Sequence, residues 1–160
     1  MKLVALGVLW LTAGLAGAEP LGRLSLDEAG PVSPRIEADS QVRAEGSGSV
    51  RITARWPTTV SLGEVEGLDV EDAKLVYSAR VRTDLEGAAF LEMWVHLDGG
   101  RYFSKGLNDR VGGKTDWTTI RTPFLLGKGQ SPDRVTLNLV VEGTGTVWVD
   151  DVVLSREPLE

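Results

Sequence analysis

The chain has no cysteine and one histidine. Past its first 18 residues it has no apolar run long enough to cross a membrane. Each absence excludes something. Without cysteine there is no disulfide, no thiolate metal site, no thiol nucleophile and no lipid attachment through an N-terminal cysteine. With His96 as the sole histidine, a transition-metal site would have to be built from carboxylates. A Ser-His-Asp triad would need this mid-strand residue, and no Gly-x-Ser-x-Gly elbow is present. The Gly-Gly pairs at 99–100 and 112–113 lack the Lys-Ser/Thr context of a phosphate-cradling loop. No stretch carries a convincing amphipathic helix, and no repeat of 20–50 residues recurs. Basic residues are also short, 17 against 23 acidic, for a net charge of −6. An acidic domain repels phosphate backbones, so no nucleic-acid partner is expected.

Residues 1–18 read as a secretory signal peptide. Lys2 supplies the positive start, Leu3 to Gly17 is almost wholly apolar, and Ala16-Gly17-Ala18 is a small-x-small cleavage site. The apolar run is shorter than the ~20 residues a bilayer span needs. Cleavage would leave 142 residues with a net charge of −7, because the leader holds one basic and no acidic residue. The expected product is exported, periplasmic or secreted, with no membrane span. It is long enough for one packed domain. The expected organisation is a loop and edge-strand segment over 19–45, a sandwich over 46–156 and a tail over 157–160.

From Ser49 onward the chain alternates. Leu91, Met93, Val95 and Leu97 form one row of the stretch 88–98. Phe90, Glu92, Trp94 and His96 form the other, because successive strand side chains point to opposite faces. The same alternation predicts strands over 49–54, 59–65, 74–83, 101–105, 117–125, 134–142 and 146–154. Short edge strands are expected at 23–26 and 41–44. Turns are expected at Asp84–Gly87, at Asp98-Gly99-Gly100 and at Glu142–Gly145, where glycine tolerates positive φ. Eight to ten short strands with turn signals between them predict an all-β antiparallel sandwich.

The last strand, Gly145-Thr146-Val147-Trp148-Val149-Asp150-Asp151-Val152-Val153-Leu154, resembles the closing strand of jelly-roll carbohydrate-binding modules of the galactose-binding-like group. Trp117 after Gly-Lys-Thr-Asp, and Gly46-Ser47-Gly48-Ser49 before a strand, are similar to further elements of that pattern. The resemblance implies a jelly roll, a non-catalytic role and a carbohydrate ligand. It also implies a core position for Trp117 and a structural calcium at Asp150. The Asn-x-x-Phe-Glu segment that often precedes these strands has no match between Glu19 and Arg43.

If the segments 74–83, 88–97 and 134–142 share one sheet, their outward residues gather Arg80, Arg82, Glu92, Trp94, His96 and Asn138 on one surface, with Tyr102 extending it. An indole stacks on sugar C–H groups, and charged or amide side chains bond vicinal hydroxyls. Such a face is equally a solvated sheet surface or a protein interface. The expected function is therefore ligand binding without catalysis. A structural or protein-interaction sandwich, with a protein partner instead of a glycan, is the alternative.

Overall fold

The computed structural model describes residues 17–24 and 36–159. Most of the leader reading, and the end of the expected strand at 23–26, fall outside that range. Nine strands follow in order: β1 Glu19–Leu24, β2 Ile36–Asp39, β3 Ser49–Ala54, β4 Thr58–Glu66, β5 Ala73–Leu97, β6 Gly100–Lys105, β7 Val111–Lys114, β8 Thr118–Leu126 and β9 Arg134–Glu157. A 3-10 turn over Leu107–Asp109 precedes β7. All pairings are antiparallel. Among the described residues no helix is long and apolar enough to cross a membrane.

The molecule is organised by β5 and β9, of 25 and 24 residues, which pair with each other from end to end. The first half of β5 pairs with β8 and with the second half of β9. On its far edge that half of β9 carries β3 and β1, and β3 carries β2. This is the first sheet. The second half of β5 pairs with β6 and with the first half of β9, which carries β4 on its other edge. This is the second sheet, and β7 lies along the bend between the two. The result is an antiparallel β-sandwich of jelly-roll type.

The expected turns at Asp84–Gly87 and Glu142–Gly145 are therefore corrected. They are not turns but the place where one ladder passes from sheet to sheet. Gly87 stands opposite Gly143, and Leu85 opposite Gly145. A Cβ on Gly87 would sit 2.1 Å from the Glu142 carbonyl oxygen, and one on Gly143 2.0 Å from that of Glu86. Gly87 has φ +118°, where side chains are rarely tolerated. The glycines permit a bend and a close backbone approach within continuous strands. The Asp98-Gly99 hairpin forms as expected, both residues having positive φ.

The core is one cluster between the sheets. Leu75, Tyr77, Ala79 and Val81 from the first half of β5 meet Leu91, Met93 and Val95 from the second, with Val135, Leu137, Leu139 and Val141 of β9. Tyr77 spans it, its hydroxyl donating to the Asn138 backbone oxygen at 3.2 Å. Ser104 of β6 and Thr122 of β8 share a hydrogen bond of 2.7 Å that ties the two sheets at one side.

Candidate functional site

The bend decides which expected residues meet. Lys74–Thr83 lies in the first sheet, so Arg80 and Arg82 leave the surface that holds Trp94. Arg82 rests instead over Trp148, 5.6 Å from the ring centroid, and Arg80 stands opposite Asp150. Tyr102 is also displaced. It pairs with Val95, a core-facing residue, and so projects from the face opposite Trp94. Its neighbour Phe103 pairs with Trp94 and takes the expected place. Trp117 is half-buried just before β8 and stands outside the core.

Glu92, Trp94, His96 and Asn138 do share the outer face of the second sheet. Glu92 is 6 % exposed and is the acceptor at its centre. The Trp94 indole N–H donates to Glu92 Oε1 at 2.8 Å, and Asn138 Nδ2 donates to the same oxygen at 3.2 Å. Lys105 Nζ lies 3.6 Å from Glu92 Oε2. Three donors thus converge on one buried carboxylate, as burial of a charge requires. Trp94 in turn packs edgewise against Phe103, with ring centroids 5.2 Å apart and planes tilted by 54°. The Arg101 guanidinium caps Trp94 at 4.7 Å, and the Lys105 ammonium lies 5.4 Å from the Phe103 centroid.

Further along the face, the Thr136 hydroxyl donates to Glu64 Oε1 at 2.9 Å, and His96 Nε2 lies 3.3 Å from the same hydroxyl oxygen. Since the hydroxyl proton is committed to Glu64, His96 Nε2 is the donor. That is the reverse of what a histidine base needs to activate a nucleophile. His96 also lines a cleft of about 510 Å³ with Glu66, Asp133 and Arg134.

Phe103, Arg101, Lys105, Thr136 and Glu64 were not among the expected residues. Pairing counted outward from the two-residue turn at Asp98-Gly99 places Phe103 and Arg101 opposite Trp94 and His96, so a register signal for them exists in the sequence. Glu64 depends on a long-range pairing that no local pattern carries.

The calcium expectation at Asp150 does not fit the donors present. Asp150 Oδ2 accepts the N–H groups of Ala44 and Glu45 at 2.9 and 3.0 Å, and Oδ1 accepts that of Asp151 at 2.8 Å. The expected edge strand at 41–44 is instead a loop that delivers one of these amides and wraps Asp39, whose Oδ1 accepts the N–H groups of Gln41 and Val42. Asp151 Oδ1 has no aligned hydrogen bond, yet the Arg23 guanidinium stands 3.1 Å away and meets its charge. Calcium needs six to eight oxygen ligands. Here the Asp150 oxygens accept amide N–H groups, and the neighbouring Asp151 faces a guanidinium. Among the described residues no group of three or more acidic or histidine side chains is placed to hold a metal.

No protein-family model matches the chain, and no curated protein matches it in sequence. Solved structures do match in fold. The CBM22-1 xylan-binding domain from Paenibacillus barcinonensis Xyn10C aligns over 92 % of this chain and all of its own length, with a TM-score of 0.53 and 14 % identity. A structure described as Family 16 Carbohydrate Binding Module-2 aligns over 78 % of this chain and 88 % of that one, with a TM-score of 0.55 and 10 % identity. A cyclase from Fischerella sp. TAU aligns over 82 % and 72 %, with a TM-score of 0.54 and 15 % identity. At such identities the likeness concerns fold alone: the chain has the jelly-roll sandwich seen in carbohydrate-binding modules.

Proposed function

We propose that this protein is an exported, non-catalytic binding module that takes a glycan on the outer face of its second sheet, around Trp94 and Phe103. The observation that carries this reading is the aromatic pair itself. Phe103 is 55 % exposed and rests against Trp94. The surrounding Arg101 and Lys105 offer donors to hydroxyls. A sugar ring presents an apolar face to stack on such a ring and polar edges to bond its surroundings. The xylan-binding description of one structural neighbour supports a polysaccharide as the class of ligand. The leader-like residues 1–18 support export.

A second reading, docking of a partner protein, is favoured by Tyr102, Phe103 and Leu107. Each is about half exposed on or just after the edge strand β6. A glycan array separates the two. The wild type should bind a defined set of glycans, and Phe103→Ala and Trp94→Ala should each lose that set. Absence of binding by the wild type would overturn the glycan reading in favour of a protein partner.

A further inference from the structure

Three basic residues stand in one row across neighbouring strands of the second sheet. His96 on β5 is directly opposite Arg101 on β6 and directly opposite Arg134 on β9. All three face outward beside the Trp94–Phe103 pair. Cross-strand neighbours on one face lie about 5 Å apart, and like charges so placed destabilise a sheet. Among the described residues neither arginine forms an ion pair with a carboxylate. Arg101 leans on the Trp94 ring, and Arg134 borders the 510 Å³ cleft that His96 also lines.

The other charged and polar groups facing His96 are known. On β4, Glu66 pairs with Arg134 in the ladder, and Glu64 takes the Thr136 proton. Asp133 lies in the loop before β9, and its backbone N–H donates to the His96 carbonyl. None of these carboxylates reaches either guanidinium within ion-pair distance. Glu66 and Asp133 line the hollow together with His96 and Arg134, yet neither closes an ion pair with a guanidinium, so the two guanidinium groups flanking the imidazole keep room for an external anion.

We infer that this row selects acidic sugars: the bound glycan carries carboxylates, one of which lies between Arg101 and Arg134 over His96. The inference rests on the glycan reading of the same face and names the class of glycan. A guanidinium grips a carboxylate through two parallel hydrogen bonds, a geometry that a neutral ester does not offer.

The probes are oligogalacturonates and the same oligomers fully methyl-esterified, measured by calorimetry at low salt. The acid form should bind at least tenfold more tightly than the ester, and the advantage should shrink in high salt. Arg134→Gln, at an exposed position, should reduce the advantage while leaving ester binding unchanged. Phe103→Ala should lose both ligands. Equal binding of acid and ester overturns the selection of acidic sugars and leaves the glycan reading standing. Acid binding that survives Phe103→Ala overturns it by placing the anion elsewhere. Binding of neither form overturns it, and a glycan array without hits would then remove the glycan reading as well.

Discussion

Tyr77 crosses the core to donate to the Asn138 backbone oxygen at 3.2 Å, while the Asn138 side chain donates on the opposite face of its sheet to Glu92. One residue thus joins the packed interior to the candidate site. Tyr77→Phe keeps the ring and removes the bond, leaving a buried carbonyl with one partner fewer. Such a loss costs about 1–2 kcal/mol. Urea unfolding should show that decrease with an unchanged slope, and no decrease would mean the bond contributes nothing.

The same residue sets an alkaline limit. Burial pushes the Tyr77 phenol far above its ordinary value. The native state then keeps a proton that the unfolded chain releases near pH 10. Stability from this group is full below about pH 10 and falls as pH rises further. Tyr77→Phe should flatten the decline. An unaltered alkaline slope in the variant would assign the decline to other groups.

At the acid end Asp39 and Glu157 act in the opposite sense. Burial works against the charge of Asp39. The amides of Val42 and Gln41, the Trp148 indole and the Arg51 charge outweigh it and hold the carboxyl below its usual range. Glu157 is held low first by its hydrogen bond to Lys74, against the cost of burial, with Arg121 adding to it. Groups with lowered native values contribute stability above about pH 4 that is lost as pH falls through those values. Asp39→Asn should make the acid decline shallower. Because Trp148 Nε1 donates to Asp39 Oδ2 at 3.0 Å, acid should also change Trp148 fluorescence in the wild type.

The glycine crossing carries the largest expected penalty. Gly87→Ala drives a Cβ into the Glu142 carbonyl in a conformation side chains avoid. Neither strand can retreat without breaking the ladder that joins the sheets. The cost should exceed about 4 kcal/mol, in the range reserved for severe lesions. Gly67→Ala is the control: φ is +67° there but the space is open, so only the backbone term of about 1–2 kcal/mol remains. Equal effects at the two positions would mean that the crossing tolerates separation.

These residues also show where a sequence stops informing. Alternation makes the inner rows legible, because Leu91, Met93, Val95 and the row Val135–Val141 must all find the same core. It says nothing about which half-strands share a sheet. Gly87 and Gly143 look like turn glycines because a turn and a bent crossing both need positive φ and a missing Cβ. Reading them as turns puts Arg80 and Arg82 beside Trp94, and pairing them puts Arg82 over Trp148 and Arg80 opposite Asp150. The surroundings of Asp150 depend on residues just as distant. The motif around Asp150 specifies a buried carboxylate, and only the distant residues Ala44 and Glu45 decide that amides satisfy it, while Arg23 meets the neighbouring Asp151.

Trp94 and Phe103 separate stability from binding. Phe103 is more than half exposed and makes no hydrogen bond through its ring, so Phe103→Ala should cost less than about 1 kcal/mol, as a surface change does. Trp94 is half-buried, and its N–H is one of three donors to a carboxylate 6 % exposed. Trp94→Ala removes packing and that donor together and should cost about 2–3 kcal/mol, below the 3–5 of a fully buried aromatic. Trp94→Phe isolates the hydrogen bond, at about 1–2 kcal/mol. Denaturant unfolding of the three variants checks the order. If the aromatic pair is a ligand platform, Phe103→Ala abolishes glycan binding while nearly all of its stability remains. If Phe103→Ala instead destabilises as much as Trp94→Ala, the ring is a structural lid over Glu92, and its exposure is no argument for a ligand.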